Sequence, residues 1–463
     1  MSVGFKKYGG CKLQRRIVLL GPLLLIVALL VMACGPATAP TPTPTKAPAA
    51  ATPTTAAKPA AGTPTTAPAA KPTPAAKAPT TPIKIGILTT LTGVFAAPGA
   101  DLRDGFLLYL AEKGNKLAGR EVQVIVEDDE AKPDVGLTKT KKLVERDGVH
   151  MVLGVISSGV ALSAGPYLAQ NKKVFLITNA GADELTQQRA GPYIFRNSFA
   201  NSTGGMVAAD WGFKQKGWRT AVILGSDFAA GWEWTGGFAR VFTDLGGKIV
   251  QELYPPLGNP DPAPFVSRID KADVTYVFQA GADALSFVPA YEQYGVKARQ
   301  PLIGNFGITD LAILPKQGDT ALGAFMGGPF AEGLDTPPNK ALIKAFKDKY
   351  GRDATIFTEP NYTAGRQLEK ALEAINGNIE DTDAFIKALE AVEILDAPRG
   401  PVKFDKYHNV VSNFYISEVQ RVGGQLNNFA IATYPNTNQF FKWTADEWLK
   451  MTPLSDMKGK WVK

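Results

Sequence analysis

Cysteine and histidine are almost absent from this chain of 463 residues. The two cysteines are Cys11 and Cys34, and the two histidines are His150 and His408, which lie far apart in the sequence. Residues 83–463 therefore offer no disulfide and no thiol nucleophile, and Ser-His-Asp catalysis or a histidine-rich metal site is hard to build. The phosphate-loop, dinucleotide, serine-hydrolase and zinc-protease motifs are also missing. We predict a protein that is not an enzyme and that uses neither a metal nor a cofactor.

An excess of positive charge is missing from most of the chain, although the whole sequence carries +7 at neutral pH. Nine of the 50 Lys and Arg residues fall in residues 1–82, which contain no acid. Residues 83–463 therefore have 41 basic and 43 acidic side chains, a net charge of −2. Such a balanced surface argues against nucleic acid as a partner.

The N-terminus has the three parts of a secretory signal. Residues 1–16 carry five Lys and Arg, and residues 17–32 are almost entirely apolar but too few to span a membrane comfortably. The run ends in Val-Met-Ala-Cys at residues 31–34, which resembles the lipobox of bacterial lipoproteins. The resemblance implies that residues 1–33 are removed and that Cys34 carries lipid. An ordinary signal peptide with a chance cysteine, or an uncleaved anchor, is the alternative.

Residues 34–82 consist almost entirely of Pro, Ala, Thr, Gly and Lys, with no aromatic residue and no acid. Such a segment cannot bury enough apolar surface to offset the loss of chain entropy on folding. We predict a disordered, partly extended tether. Attached by lipid at Cys34, it would hold the folded part of the protein outside the cytoplasm, near the cell membrane.

Residues 83–463 are too many for one hydrophobic core, and strand and helix patterns alternate along them. The predicted strands of a first array lie at residues 83–88, 122–126, 150–155 and 174–178. After a new start near residue 204, those of a second array lie at residues 220–224, 248–253, 274–278 and 301–303, and a hairpin is predicted around Gly423-Gly424. The alternation predicts an α/β fold with two doubly wound lobes, each built on a parallel sheet. Loops at the carboxyl ends of the strands would line the crevice between the lobes.

Six short segments of the folded part occur in the order and spacing of a known family. They are residues 83–86 (Ile-Lys-Ile-Gly), 92–93 (Thr-Gly), 128–129 (Asp-Asp), 154–159 (Gly-Val-Ile-Ser-Ser-Gly), 177–180 (Ile-Thr-Asn-Ala) and 399–405 (Arg-Gly-Pro-Val-Lys-Phe-Asp). With the lipoprotein signal, they resemble the Leu/Ile/Val-type extracytoplasmic solute-binding proteins of ABC importers. The resemblance covers essentially all of residues 83–463.

This resemblance implies a type I periplasmic-binding-protein fold, in which three crossing segments join the lobes. It places lobe 1 at residues 83–199 and 330–405, and lobe 2 at residues 200–329 and 406–463, which include a C-terminal extension. The crossings are expected near residues 196–203, 327–333 and 405–412. It also implies a monomer that closes on a small solute and delivers it to a membrane permease and its ATPase subunits.

Hydroxyl and small residues follow two predicted strands of lobe 1. Hydroxyl groups and free N–H groups at a helix N-terminus suit a carboxylate, and the resemblance places the ligand carboxylate at this point. The alternatives are that the serines merely cap the helix and that the second segment is a plain turn. The predicted ligand contacts are Ser157, Ser158 and Gly159 after one strand, and Asn179, Ala180 and Gly181 after the next.

The corresponding part of lobe 2 departs from the amino-acid carriers. In those proteins an acidic side chain after a late strand holds the ligand ammonium, whereas the matching position here falls on or near Phe306, which could meet an ammonium only by a cation–π contact. Phe228, Trp232 and Phe306 are predicted to form an apolar slot, with Tyr362 as a further candidate, although each could belong to the core. We therefore predict an aromatic or other hydrophobic carboxylic acid as the ligand. A branched-chain amino acid or amide carrier, or a ligand-sensing ectodomain with a separate partner, is the alternative.

Overall fold

The computed structural model describes residues 79–463. The predicted signal (residues 1–33), the predicted lipidation site Cys34 and almost all of the predicted tether (residues 34–82) lie outside the described residues. Within residues 79–463, no helix combines the length and the apolar character needed to cross a membrane. The described chain is built on a six-stranded and a nine-stranded sheet with helices packed against them, so the predicted α/β class is confirmed.

The six-stranded sheet is formed by the first part of the chain. Its strands run in the order β2-β3-β1-β4-β5-β6, and all pairs are parallel except β2 with β3. Ile83, Ile85 and Ile87 on one face of β1 and Leu88 on the other are fully buried, as expected of a strand covered on both faces. The elements are β1 (Ile83–Thr89), α1 (Ala96–Glu112), β2 (Lys116–Leu117), β3 (Arg120–Asp128), α2 (Pro133–Lys141), β4 (Met151–Gly154), α3 (Ser158–Gln170), β5 (Val174–Ile177) and β6 (Ile194–Arg196).

The parallel part of the nine-stranded sheet follows, in the order β11-β10-β9-β7-β8. We call the part around the six-stranded sheet lobe 1 and the part around these five strands lobe 2. The elements are α4 (Asn201–Gln215), β7 (Thr220–Gly225), α5 (Ala229–Asp244), β8 (Lys248–Leu253), α6 (Ala263–Val266), β9 (Val274–Phe278), α7 (Gly281–Gln293), α8 (Val296–Arg299), β10 (Leu302–Asn305), α9 (Leu314–Gln317) and β11 (Phe325–Gly328).

The last part of the chain adds helices to lobe 1 and a long hairpin to lobe 2. The hairpin pairs β14 with β15 around Gly423 and Gly424, whose φ angles are 60° and 82°. Positive φ at both turn residues matches the twist of a two-residue hairpin, so this prediction is confirmed. The elements are α10 (Pro337–Tyr350), α11 (Thr358–Ala374), α12 (Thr382–Glu390), β12 (Glu393–Ile394), β13 (Val402–Phe404), β14 (Val410–Val422), β15 (Gln425–Thr437) and α13 (Ala445–Trp448).

The chain passes between the two lobes three times. Residues 197–200 lead from β6 to α4, which packs on lobe 2, and residues 329–336 lead from β11 back to the helices packed on α1. The third passage is β14, which pairs with β13 at its start and with β11 further along. Because β14 pairs with strands on both sides, β12 and β13 belong to the nine-stranded sheet. The resemblance, by contrast, assigns residues 330–405, which include these two strands, to lobe 1. The lobe boundaries stay a prediction.

A buried ion pair ties the first passage to α11. The side chains of Arg399 and Glu359 are both fully buried and form an ion pair. Arg399 Nη1 also donates to the carbonyl oxygens of Asn197 at 3.1 Å and Ser198 at 3.2 Å. A buried charge is tolerated only when it is paired and hydrogen-bonded. Arg399 is the first residue of the segment 399–405, which resembles the family. Its contacts connect this segment to the first passage between the lobes.

The C-terminal extension contacts both lobes. In lobe 1, Trp448 Nε1 donates to Gln187 Oε1 at 2.8 Å. In lobe 2, Lys458 forms an ion pair with Asp227, and the backbone N–H of Trp461 donates to Glu252 at 2.6 Å. Residues 438–463 therefore form a strap across the two lobes.

Two carboxyl groups are buried side by side near the second passage. Asp310 is 3% exposed and Glu332 is 4% exposed, and one oxygen of each has no hydrogen-bond partner among the described residues. Burial, reinforced by repulsion from Glu332, raises the pKa of Asp310 to about 8, and burial raises the pKa of Glu332 to about 7. Between about pH 4 and pH 8 the folded protein therefore holds more protons than the unfolded chain. The free energy of unfolding contributed by this pair falls as pH rises through that range.

Glu332→Gln is expected to stabilise the protein at pH 8 by about 1–3 kcal/mol, since it removes the buried charge while Gln can still accept from Asn428. At pH 5, where the pair holds its protons, the gain should disappear. Urea unfolding at both pH values measures the difference. Glu393→Gln, which changes an exposed carboxylate, is the matched control and should show no such dependence. An equal effect of Glu332→Gln at pH 5 and pH 8 would contradict the assignment.

Candidate functional site

A small cavity, partly open to solvent, lies between the lobes at the carboxyl ends of their strands. Its volume is about 390 Å³, counted together with the solvent at its open side. Its walls follow β4 and β5 in lobe 1 and β7, β9 and β10 in lobe 2, which is where open α/β sheets bind ligands. The lining residues are uncharged and are aromatic, aliphatic, small or polar: Phe95, Ile156, Ser158, Asn179, Gly181, Phe199, Asn201, Phe228, Ala230, Trp234, Phe278, Ala280, Asn305, Phe306 and Phe357.

The lobe 1 wall contains the start of α3. Ser158 is the first residue of this helix and is 2% exposed, and its side chain lines the cavity. Ser157 precedes the helix but its side chain makes no capping hydrogen bond, so it does not satisfy the N–H groups of the first turn. Val155, just before, has a φ angle of 70°, a strained conformation for a β-branched residue. The strained turn aims the helix N-terminus at the cavity, and strain of this kind is concentrated at functional sites.

The second predicted segment of lobe 1 forms the adjoining wall. Asn179 lines the cavity, and its Nδ2 donates to the carbonyl oxygen of Ile156 at 3.0 Å. Gly181 also lines it, and a Cβ at this position would lie 2.1 Å from Asn201 Oδ1, so glycine is required there. Ala180 is buried in the apolar core of lobe 1 instead. The structure thus brings Ser158, Asn179 and Gly181 together.

The lobe 2 wall is aromatic. Phe228 lies 5.9 Å from Phe278 between ring centroids, and Phe306 lies 4.8 Å from Phe199 and 5.5 Å from Trp234 in edge-on contacts. Both predicted phenylalanines, Phe228 and Phe306, line the cavity. An aromatic ring entering this wall would meet ring edges and faces, which favour it beyond simple burial.

Five predicted residues do not line the cavity. Ser157 and Gly159 flank Ser158 along the chain, and Ala180 belongs to the core. Trp232 lies on the outer side of α5, where its Nε1 donates to Asp227 Oδ1 at 2.8 Å and Lys458 Nζ lies 5.0 Å from its ring. Tyr362 packs on Tyr109 and donates to Glu112 Oε2 at 2.8 Å, because α11 lies against α1.

Several cavity residues were missed by the sequence analysis. Trp234 follows Trp232 by two positions, and side chains two apart on a helix point to nearly opposite faces, so only one of them can face the cavity. Trp234 is fully buried and Trp232 is not. The helical period of α5 could have identified it. Asn201, 1% exposed, begins α4 at the first passage, and no pattern distinguished it from an ordinary helix start.

The electrostatics of the cavity suit a ligand without a positive group. None of the lining residues is charged, so none can form an ion pair with an ammonium. Glu233 accepts from the lining residue Asn201 and from the backbone N–H of Asp183. Burial raises the pKa of both acids, and the positive charge of Arg196 opposes the rise. Among residues 79–463, no group of three His, Cys, Asp or Glu side chains is placed to hold a metal ion.

Comparison with known proteins identifies the family. The periplasmic binding protein family matches residues 82–425. The Leu/Ile/Val-binding protein homolog 6 of Brucella melitensis is 28% identical over 366 residues, covering 76% of this chain and 91% of the relative.

Two solved structures extend the match. An ABC transporter substrate-binding protein from Sphaerobacter thermophilus is 34% identical, with a TM-score of 0.73 over 77% of this chain and 98% of that chain. An ABC transporter solute-binding protein from R. palustris, solved in complex with benzoate, is 29% identical, with a TM-score of 0.72 over 76% of this chain and 96% of that chain. Because the family match spans most of its length, this chain belongs to the periplasmic binding protein family.

Proposed function

We propose that this protein is the substrate-binding component of an ABC importer and that its ligand is a small aromatic carboxylic acid. The observation that carries the proposal is the cavity itself, whose lining is uncharged. One side is aromatic, and the other side has a hydroxyl and a helix N-terminus. It offers hydrogen-bond donors for one anion and apolar surface for one ring, with no ionised partner for an amine.

The ligand would be held from both lobes. Its carboxylate would accept hydrogen bonds from the Ser158 hydroxyl and from N–H groups in the first turn of α3, where the helix dipole also favours an anion. Its ring would fill the space between Phe228, Phe278 and Phe306. Since contacts come from both lobes, ligand binding favours their closed arrangement, which is the form that would be delivered to the permease and its ATPase subunits.

The comparisons support this ligand class. The R. palustris neighbour was solved with benzoate and is 29% identical over 76% of this chain. The name of the Brucella relative favours a second candidate, a branched-chain amino acid. The ammonium of such a ligand would have only amide oxygens and aromatic faces to contact in this cavity, which makes it the weaker candidate.

Ser158→Ala is expected to weaken benzoate binding by about 1–3 kcal/mol, because the carboxylate loses a charge-assisted hydrogen bond inside a buried site. Isothermal titration of the purified variant and the wild type measures the loss. Ser157→Ala is the matched control, since its side chain neither lines the cavity nor caps the helix. Equal affinities for the wild type and Ser158→Ala would remove Ser158 from the proposed carboxylate site.

We also propose that the protein is a lipoprotein held at the outer face of the cell membrane by lipid on Cys34. The support is the signal-like sequence that ends at this cysteine and the Pro- and Thr-rich segment after it. Cys34→Ser is expected to move the protein from the membrane fraction to the soluble extracytoplasmic fraction, whereas Cys11→Ser should not. Retention of the Cys34→Ser protein in the membrane would mean that an uncleaved apolar segment is the anchor.

A further inference from the structure

We infer that Asn201 is a positioning residue that fixes the Ser158 hydroxyl as a hydrogen-bond donor to the ligand, and thereby makes the site prefer an acid over the corresponding amide. The inference rests on the proposed function, since it concerns the same cavity and the same carboxylate. It adds Asn201, which does not contact the ligand directly. It also adds a preference for an acid over an amide, which the shape of the cavity alone would not provide.

The orientation of the Asn201 amide is set by its neighbours. Its Oδ1 accepts from Trp234 Nε1 at 3.1 Å, and its Nδ2 donates to Glu233 Oε2 at 2.7 Å and to Ser158 Oγ at 3.1 Å. An indole N–H can only donate, so the oxygen end of the amide must face Trp234. The NH₂ end is thereby directed at Ser158.

The Ser158 hydroxyl consequently presents its proton to the cavity. Its oxygen accepts from Asn201, and among the described residues it has no other hydrogen-bond partner. A serine hydroxyl has a single proton, which cannot point back at the Asn201 NH₂ group. Because Ser158 is 2% exposed and lines the cavity, a ligand atom there is the acceptor that remains for this proton.

Glu233 reinforces this arrangement. It is 5% exposed, and its carboxyl group also accepts from the backbone N–H of Asp183 at 3.2 Å. Glu233 and Trp234 are neighbours on α5 of lobe 2, whereas Ser158 and Asp183 belong to lobe 1. The polarity of the Ser158 hydroxyl is therefore set across the interface of the two lobes, in the arrangement that encloses the cavity.

This polarity favours one class of ligand. A carboxylate presents two acceptor oxygens to the Ser158 hydroxyl and to the N–H groups of α3. A primary amide presents one oxygen, and its NH₂ group would face donors. The NH₂ group of the amide and the donors of the site would then face each other in a buried place with no acceptor between them, which weakens amide binding. We therefore expect the wild type to bind benzoate at least about tenfold more tightly than benzamide.

A charge-neutral swap tests the inference. The double variant Asn201→Asp/Glu233→Gln exchanges an amide and an acid, so that Trp234 keeps an acceptor and the two exchanged side chains can still hydrogen-bond to each other. The Ser158 oxygen, however, now faces a carboxylate and must donate to it. The ratio of benzoate to benzamide affinity is expected to fall at least about tenfold in the swap, measured by isothermal titration, while the melting temperature stays near that of the wild type.

The same swap in a Ser158→Ala background is the control, because no hydroxyl remains to be redirected. The change in the affinity ratio should be several-fold smaller there, whereas equal changes in both backgrounds would show a general effect of the nearby charge and overturn the inference. If the swap does not fold, the single variant Ser158→Ala tests the inference. A ratio of benzoate to benzamide affinity equal to that of the wild type would overturn the inference. A wild type that binds no aromatic acid would instead overturn the proposed function, and this inference with it.

Discussion

Phe306→Asp is expected to lower the affinity for benzoate by on the order of 100-fold or more. Phe306 is 6% exposed and lies in edge-on contact with Phe199, Trp234 and Phe357 at the wall of the cavity. The variant removes an aromatic contact of the ligand and places a second carboxylate beside the first in a buried site. Like charges facing each other in such a place cost several kcal/mol.

Position 306 also bears on the alternative ligand, an amino acid. The resemblance aligns it with the acid that holds the ligand ammonium in amino-acid carriers. Titration of Phe306→Asp with L-leucine therefore accompanies the benzoate titration. Tyr294→Asp, an aromatic-to-acid change at an exposed residue of lobe 2, is the matched control and should bind benzoate like the wild type. Phe306→Leu, which keeps an apolar side chain, separates the loss of the ring from the effect of the added carboxylate. Benzoate affinity of folded Phe306→Asp within about threefold of the wild type would contradict the assigned site.

Glu359→Gln is expected to destabilise the protein by about 3–5 kcal/mol, the usual effect of breaking a fully buried ion pair. The change leaves the positive charge of Arg399 buried with only carbonyl oxygens and a neutral amide around it. Because Arg399 also holds residues 197 and 198 at the first passage, the loss should appear as cooperative unfolding at a lower denaturant concentration.

Guanidinium unfolding followed by tryptophan fluorescence measures this loss. Asp348→Asn breaks an exposed ion pair with Lys344 and is the control, expected to unfold at the same denaturant concentration as the wild type. If the free energy of unfolding of Glu359→Gln lies within about 1 kcal/mol of the wild-type value, solvent reaches Arg399 or the lobes rearrange around it.

The alternating strands and helices could be read from the sequence because each is a local pattern. The alternate isoleucines of β1 and the paired glycines at 423 and 424 are examples, and both features are found in the structure. The single-turn helix α6, Ala263–Val266, is too short to show such a pattern. Its residues lie between a β-strand and a turn, where propensity alone gives little guidance.

The candidate site could be predicted only in part. Ser158, Asn179 and Phe306 follow strands at the expected edge, so chain position alone brings them together. The sequence analysis predicted Trp232 as a ligand contact, whereas Trp234 faces the cavity. A helix places side chains two apart on nearly opposite faces, so only one of the two tryptophans can do so. Asn201 and the strap formed by residues 438–463 depend on contacts between residues far apart in the chain, which no local pattern encodes.

Parallel isothermal titrations of the wild-type protein with benzoate, 4-hydroxybenzoate and L-leucine test whether the cavity binds an amine-free aromatic acid. A ligand that binds the folded state will also raise the melting temperature, by an amount that grows with the ratio of its concentration to its Kd, which gives an independent check. We expect saturable binding of at least one of the two benzoates and no binding of L-leucine at the same concentrations. Binding of L-leucine with no heat from either benzoate would contradict this expectation, and would mean that the amides of the cavity hold an ammonium after all.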